Sequence, residues 1–188
     1  NTDYNSSEYV SAKRFHSYYH QLRCLDLLGG DRILEIGTGN GLFRYIAEKS
    51  GRQLTTLDID PALKPDITAS LINDLPLKRR SFDTAVAFQV FEHVPFGNLE
   101  NILSELSRVV SVGLAFSLPD REWFLDCRFG SNYFRIGGLV TIRRFLSRGV
   151  PVTEYDSDRH YWHIGDRGIT RKTVKRAIAQ TDLELLSD

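Results

Sequence analysis

The glycine-rich stretch RILEIGTGNG at residues 32–41 constrains the fold more than any other part of the chain. Apolar, strand-like residues run into three glycines spaced two apart, Gly37, Gly39 and Gly41. Glycine lets the backbone turn sharply and approach a ligand closely. A helix after such a turn presents free amides and the positive end of its dipole to a negative group. The stretch therefore predicts a strand, a ligand-binding loop and a helix, in that order.

Strand-like and helix-like segments alternate along most of the chain. Strands are predicted at 32–36, 53–58, 67–69, 82–88 and 112–118, and helices at 7–28, 42–49 and 99–110 with Asn98 as a cap. The continuous apolar run at 82–88 is typical of a strand buried on both faces. This alternation predicts an α/β fold, a Rossmann-like, doubly wound and mostly parallel sheet with helices on both faces. Ligands bind such sheets at the carboxyl ends of the strands.

The length of 188 residues predicts a single domain. We divide it into an N-terminal helical segment at 1–30, a cofactor-binding core at 31–118, an insertion after the fifth strand at 119–168, and a last helix and strand at 169–188. The insertion is rich in aromatic residues and arginine, and we expect it to be partly helical around Leu139–Ser147. Thr170 is expected to cap the last helix, and the final DLELL reads as a strand that stops abruptly, as in a truncated or disordered C-terminus.

Composition excludes several classes of function. The 24 basic and 24 acidic residues cancel, so we expect no nucleic-acid partner. The chain has no apolar run long enough for a transmembrane helix and no leader, which favours a cytoplasmic protein. Cys24 and Cys127 lie far apart without a Cys/His cluster, so no metal site is predicted.

An acid at the end of the second strand helps to indicate which kind of nucleotide the chain binds. Asp58 follows Gly41 by 17 residues, the placement of a carboxylate that binds ribose hydroxyls. The glycine spacing is GxGxG and not the GxGxxG of dinucleotide sites. Glu35 lies two residues before the first glycine. The alternative interpretation is that Gly37 and Gly39 only tighten the turn between strand and helix.

At this point the sequence resembles a known family. ILEIGTGNG, TTLDIDP, DLPLKRRSFDTAVAFQVFEHV and LSRVVSVGLAFSLPD look like the successive motifs of class I S-adenosylmethionine-dependent methyltransferases, in the type 11-like group. The resemblance covers about residues 30–120. It implies S-adenosylmethionine as the cofactor and S-adenosylhomocysteine as the product. The implied activity is methyl transfer to an oxygen, nitrogen or carbon of a small molecule.

The resemblance also implies which residues contact the cofactor. They are Glu35, Gly37, Thr38, Gly39, Asn40 and Gly41 along its methionine part, Asp58, Ile59 and Asp60 at the ribose and adenine, Ile72, Asn73 and Asp74 beside the adenine, and Gln89 and Glu92 near the methyl group. Asp60 has a second interpretation as an N-cap before Pro61.

Three histidines are candidates for a catalytic base. The methyl of the sulfonium is already activated, but an oxygen or nitrogen acceptor needs a group that takes its proton. His93 matches the segment after the fourth strand, and His160 and His163 lie in the cluster RHYWH at 159–163. The alternatives are that His93 only hydrogen-bonds a loop and that the cluster is a packed aromatic hinge. The chain has FQVFEH where methylases of base amines have (N/D)PP(Y/F), which argues against a DNA amine target.

Other functions remain open from the sequence. The insertion reads as a cover over the acceptor pocket or, alternatively, as a contact with a lipid surface or a lipid-linked acceptor. A catalytically silent binding or scaffold protein of the same fold is one alternative, and a nicotinamide-dependent oxidoreductase is a less favoured one. The sequence identifies neither the acceptor and its attacked atom nor the oligomeric state.

Overall fold

A computed structural model of the chain describes residues 10–120, 123–131, 134–142 and 160–186, with only the backbone of 123–131 and 134–142. The helices are α1 (Ala12–Leu28), α2 (Leu42–Lys49), α3 (Leu99–Val109) and α4 (Arg171–Ala179). The strands are β1 (Arg32–Ile36), β2 (Gln53–Asp58), β3 (Ile67–Thr68), β4 (Phe82–Phe88), β5 (Val110–Ser117), β6 (Trp123–Ser131) and β7 (Phe134–Ile142). None of the helices in these segments reaches the length and hydropathy of a membrane span.

Five strands form one parallel sheet in the order β3-β2-β1-β4-β5. The central strand β1 pairs with both β2 and β4, so that Ile33 lies opposite Leu54 on one side and opposite Thr84 on the other. The chain winds outward from β1 to β3 and then crosses back to β4. The direction of winding therefore changes between β1 and β4, where a parallel sheet forms its ligand crevice.

Apolar clusters cover both faces of this sheet. The side chains of β1 alternate between them, because successive residues of a strand point to opposite faces. Ile33 packs in a cluster with Leu25 of α1 and Phe43 of α2. Leu34 and Ile36 pack in the other cluster, whose members include residues of α3 and α4. The predicted doubly wound α/β fold with helices on both faces is confirmed.

The apolar stripe predicted for helix α3 is confirmed. Its predicted cap, Asn98, is at the expected position but forms no side-chain cap within the described part of the chain. Leu99, Ile102, Leu103 and Leu106 are buried along one side of the helix. Asn98 has a helical backbone conformation, and among the described residues its side chain makes no capping hydrogen bond. Asn98 is therefore confirmed at the predicted N-cap position, but the 3-10 turn Phe96–Asn98 leads directly into the helix and leaves it without a side-chain cap from these residues.

The end of the chain also differs in part from the prediction. Thr170 and Thr173 form a capping box at the start of α4, as the predicted cap required. The predicted DLELL strand is wrong for Leu183–Leu186, which form neither helix nor strand. After α4 the Thr181 hydroxyl donates to the carbonyl of Ile178 and accepts from the amide of Leu183, so the chain continues as a turn without joining the sheet.

The insertion contains an antiparallel hairpin of β6 and β7, in which Trp123 pairs with Ile142 and Ser131 with Phe134. The predicted helix around Leu139–Ser147 is therefore wrong for residues 139–142, and its remainder lies outside the described residues, as does Arg159. β-Branched residues account for the difference: Ile136, Val140 and Ile142 favour an extended strand over a helix.

The segment after the insertion, residues 160–169, packs against the main sheet. The indole of Trp162 is almost fully buried and donates from Nε1 to the carbonyl oxygen of Val94 at 2.9 Å. Its ring meets the ring of Phe96 edge-on. The amide of Ile164 donates to the carbonyl of Pro119 at 3.0 Å. The segment thus lies between the end of β5 and the loop after β4.

We predict that Trp162 is the main anchor of this segment. Trp162→Phe removes the hydrogen bond to Val94 and part of the ring, and we expect it to lower the free energy of unfolding by about 1–3 kcal/mol. Trp162→Ala leaves a larger cavity and should lower it by about 3–5 kcal/mol. Urea unfolding followed by far-ultraviolet circular dichroism measures both. A loss below about 1 kcal/mol for Trp162→Ala would contradict the packing of residues 160–169 on the core.

Candidate functional site

The glycine loop links the end of β1 to the start of α2 at the carboxyl edge of the sheet. Gly37 has a φ of +82°, in the left-handed region that favours glycine. A Cβ at this position would lie 2.6 Å from Cγ2 of Val90, in the loop after β4. Gly39 is also left-handed, with a φ of +52°, but a Cβ there would meet no atom within 4 Å. Gly37 therefore serves close packing between two loops, whereas Gly39 borders open space.

Asp58 joins the end of β2 to this loop. Its Oδ2 accepts a hydrogen bond from the amide of Thr38 at 2.8 Å, and its Oδ1 accepts from the amide of Asp60 at 2.9 Å. Each carboxylate oxygen has two lone pairs, so the half-buried Asp58 retains acceptor capacity for two further hydroxyl groups. The two backbone bonds fix the carboxylate at the edge where a ligand would lie.

Buried oxygens without partners lie beneath the loop. Glu35 is 4% exposed, and among the described residues its Oε2 has no hydrogen-bond partner. Burial raises the pKa of Glu35 to about 8, although the charge of Arg44 opposes this shift. The Oγ1 of Thr38 is likewise buried and has no partner in the same set of residues. Both atoms can receive hydrogen bonds from a ligand.

The loop after β4 is held by the end of β5. Gln89 has a φ of +58°, unusual for a residue with a side chain. Its amide and its side-chain Nε2 both donate to Oγ of Ser117, at 3.1 and 3.2 Å. This bend directs the chain into the 3-10 turn Phe91–His93, in which Phe91 and Glu92 are buried and His93 is exposed.

Glu92 is the most unusual side chain in this loop. It is fully buried, and neither carboxylate oxygen has a hydrogen-bond partner within the described part of the chain. Burial raises the pKa of Glu92 to about 7. Its backbone carbonyl accepts from the amide of Tyr161 at 2.7 Å, which joins this loop to the segment after the insertion.

The three predicted histidines lie together beside Glu92. The ring centres of His93 and His160 are 4.7 Å apart, and those of His160 and His163 are 4.9 Å apart. Nδ1 of His160 is 2.9 Å from Nε2 of His163, within hydrogen-bond distance. Asp166 Oδ2 accepts from the amide of His163 at 2.7 Å and lies 3.5 Å from its ring Nδ1. The segment 160–163 is therefore both an anchored aromatic segment, through Trp162, and a polar cluster.

The remaining predicted residues are more exposed. Asp60 Oδ1 accepts from the amide of Ala62, so Asp60 caps the short turn Pro61–Leu63, as the second interpretation of this residue required. Ile59 is 67% exposed beside it. Ile72, Asn73 and Asp74 are exposed in the chain after β3, the strand next to β2. Their contacts with a cofactor stay predictions.

Two residues at this edge were not singled out from the sequence. The Tyr18 hydroxyl of α1 donates to Asn40 Oδ1 at 3.4 Å, and the same oxygen accepts from the amide of Leu42 at the start of α2. Ser117 fixes Gln89, as described above. The helical spacing of Tyr18 marks it only as a packing residue, and a serine at a strand end has no distinctive pattern.

Comparison with known proteins finds methyltransferases that are similar to this part of the chain. The family model described as "Methyltransferase domain" matches residues 34–116, which include the glycine loop, Asp58 and Glu92. Residues 34–116 thus resemble a methyltransferase domain, in agreement with the resemblance of the sequence motifs to class I S-adenosylmethionine-dependent methyltransferases. The ubiquinone biosynthesis O-methyltransferase of Xanthomonas euvesicatoria pv. vesicatoria (strain 85-10) is 30% identical over 82 residues, which are 36% of this chain. The match spans 34% of that relative, about a third of its length.

Solved structures share the methyltransferase fold. An S-adenosylmethionine-dependent methyltransferase from Archaeoglobus fulgidus aligns with a TM-score of 0.53 and 15% identity, over 88% of this chain and 67% of its own. The N-methyltransferase NodS of Bradyrhizobium japonicum WM9 aligns with a TM-score of 0.52 and 15% identity, over 69% of this chain and 87% of its own. Similarity at this level of identity extends to the fold of the methyltransferase domain.

The two glycines of the loop should respond differently to substitution. Gly37→Ala adds a clash with Val90 to the left-handed strain, and we expect it to lower the free energy of unfolding by about 2–4 kcal/mol. Gly39→Ala adds the strain alone and should cost about 1–2 kcal/mol. Urea unfolding of both variants measures the difference. Equal losses would contradict the close approach of Gly37 to Val90.

The buried Glu35 should make stability depend on pH. Its pKa in the folded protein, about 8, is above the ordinary value of 4.5. Between these values the folded state retains a proton that the unfolded state has lost, so stability falls as pH rises. Glu35→Gln removes this dependence, and it should reduce the loss of stability between pH 5 and pH 8 by ~1–3 kcal/mol.

Calorimetric unfolding at several pH values measures this effect. Glu100→Gln is the matched control, because Glu100 is an exposed carboxylate in the first turn of helix α3 and does not contribute to the shift of the Glu35 pKa. The control should keep the wild-type slope. If Glu35→Gln and wild type lose stability in parallel, Glu35 is not the protonated group.

Proposed function

We propose that the chain binds S-adenosylmethionine at the carboxyl edge of the sheet and transfers its methyl group to an oxygen, nitrogen or carbon of a small molecule. The observation that carries this proposal is Asp58, hydrogen-bonded to the glycine loop within the region that the methyltransferase family model matches. S-Adenosylhomocysteine would be the product. NodS, which shares the fold, was solved with S-adenosylhomocysteine, and this supports the same class of cofactor here.

The polar atoms at this edge fit such a cofactor. Asp58 has lone pairs for two ribose hydroxyls after its two backbone bonds are counted. Glu35 Oε2 and Thr38 Oγ1 are buried acceptors that lack partners in the described structure. The cofactor has an ammonium group and two hydroxyls, which supply donors for acceptors of this kind. Buried polar groups are normally hydrogen-bonded, so their presence favours a polar ligand.

In this reaction the protein has two main tasks, which are to position the acceptor and to accept its proton. When bound, the sulfonium would supply an activated methyl group: the acceptor would form a new bond to this carbon, and the electron pair of the broken C–S bond would stay on sulfur. The chain must align the acceptor, exclude water and take a proton where the acceptor atom carries one. His93, His160 and His163 are candidates for this last role, because histidine exchanges protons near neutral pH. Asp166 would orient His163.

The acceptor is proposed only at the level of its class. The curated relative is named an O-methyltransferase and NodS an N-methyltransferase, so the named relatives support both atoms. The balanced charge of the chain favours a small molecule over a nucleic acid. A cytoplasmic site of action is part of the same proposal. A lipid-linked acceptor remains the alternative for the insertion.

We predict that Asp58→Ala weakens the binding of both S-adenosylmethionine and S-adenosylhomocysteine at least about ten-fold, because one or two charge-assisted hydrogen bonds to the ribose are lost. Titration calorimetry measures this change. Asp26→Ala is a matched control: it also removes an aspartate carboxylate, but an exposed one that pairs with Arg52 at the opposite end of β2. The control should bind the cofactor as the wild type does.

Three outcomes separate the proposal from its alternatives. Failure of the wild-type protein to bind either nucleoside at millimolar concentration would overturn it. Unchanged affinity in Asp58→Ala would overturn the assignment of Asp58 to the ribose. Binding without turnover of a broad panel of hydroxyl and amine acceptors would favour a catalytically silent protein, and a fluorescence titration with NADH tests the oxidoreductase alternative.

A further inference from the structure

We infer that Glu92, His93 and His160 form a binding site for a divalent first-row transition-metal ion, for which Zn²⁺ is the representative. Each of these side chains offers one ligand atom, and all three atoms lie within 4.8 Å of one another. The sequence predicts no metal site, because His160 is 67 positions from His93 and no spacing pattern joins them. The packing of residues 160–169 against the loop after β4 brings the three together.

The buried carboxylate of Glu92 is the observation that points to a cation. Both of its oxygens are buried without a hydrogen-bond partner in the described part of the chain. Placing an ionised carboxylate in such surroundings is unfavourable unless a positive charge or a metal ion compensates it. His93 and His160 supply nitrogen ligands beside it, so a cation bound here would satisfy the carboxylate directly.

The distances are close to those of a formed site. Zinc binds histidine nitrogen and carboxylate oxygen at about 2.0–2.2 Å, so two ligand atoms on one ion lie no more than about 4.4 Å apart. The three candidate atoms lie within 4.8 Å before any ion is bound. The separations therefore exceed this limit by no more than about 0.4 Å.

A second group of residues orients His160. A histidine that binds a metal usually donates its other ring N–H to a neighbouring acceptor, which fixes its tautomer. Nδ1 of His160 is 2.9 Å from Nε2 of His163, and the Asp166 carboxylate lies on the other side of the His163 ring. His163 and Asp166 are each about nine-tenths buried. This arrangement leaves Nε2 as the nitrogen that His160 would offer to the ion.

The backbone that carries the ligands is firmly attached. The amide of Tyr161 donates to the carbonyl of Glu92, and Trp162 anchors the same segment on Val94. Ligands from 92–93 and from 160 are therefore held at a fixed separation. Imidazole and carboxylate together suit Zn²⁺, Fe²⁺, Mn²⁺ or Co²⁺. Three protein ligands leave at least one coordination position open.

If the proposed function holds, the open coordination position of the metal ion would bind the methyl acceptor. Glu92 and His93 belong to the segment after β4, on the edge where the cofactor is proposed to bind. The oxygen of an acceptor hydroxyl would occupy the open position, and a bound cation lowers the pKa of such a group. A histidine bound to metal cannot also take a proton, so the cation would replace His93 and His160 as the activating group.

The test is zinc binding by the full chain. Protein freed of metal with a chelator is titrated with Zn²⁺ by calorimetry, and Co²⁺ absorption reports the coordination. All variants carry His20→Ala, because Nε2 of His16 and Nε2 of His20 lie 3.2 Å apart on α1 and form an unrelated pair that attracts metal. We expect one ion per chain in this background.

Glu92→Gln and His160→Ala should each weaken Zn²⁺ binding at least ten-fold and reduce the visible absorption of bound Co²⁺. Glu92→Gln keeps the shape of the side chain, so it tests the carboxylate without a cavity. Equal Zn²⁺ affinity in Glu92→Gln and its parent would place the ion elsewhere, at a thiol or an exposed histidine, and would overturn the inference. Circular dichroism verifies that each variant is folded.

Binding of S-adenosylhomocysteine by the same samples separates this inference from the proposed function. If the metal-free protein binds the nucleoside but does not bind added Zn²⁺, only the inference of a cation site is overturned. Protein that binds Zn²⁺ through Glu92 but not the nucleoside would overturn the proposed function and leave the cation site intact.

Discussion

The parallel pairing of β1 with both β2 and β4 is the constraint on which the other features of this edge depend. It brings the ends of three strands to one line, so the loops after them must pack against one another. Asp58 at the end of β2 therefore reaches the amide of Thr38, and Val90 after β4 packs over Gly37. A side chain at position 37 would separate the two loops. The parallel pairing of the strands thus explains both the need for glycine at position 37 and the contact of Asp58 with the glycine loop.

The carboxyl edge of the sheet contains two buried acids, which a core optimised only for stability would not contain. Glu35 and Glu92 are both buried, and burial raises the pKa of each. Apolar side chains at these positions would avoid the unfavourable transfer of a carboxyl group from water. A hydrogen-bond donor or a cation from a bound ligand would offset this cost at either position. The proposed cofactor would give Glu35 a partner, and the inferred cation would give Glu92 one.

The sequence predicts the local elements of the core well because their signals are short-range. The apolar stripe of α3 and the capping box at Thr170 are read from residues within a few turns of helix. The errors arise where neighbours in space decide the outcome. The segment 139–142 pairs with β6 as a strand, and Leu183–Leu186 do not join the sheet although their pattern is strand-like.

The sequence by itself determined the glycine loop, the acid at the end of β2 and the resemblance to methyltransferases, because these depend on residues adjacent along the chain. The tertiary structure alone decided that His160 lies against Glu92 and His93. Their contact requires the buried indole of Trp162 and the bond from Tyr161 to Glu92, both of which act between distant segments. Contacts between residues far apart in the sequence depend on tertiary packing, which a local sequence pattern does not reveal.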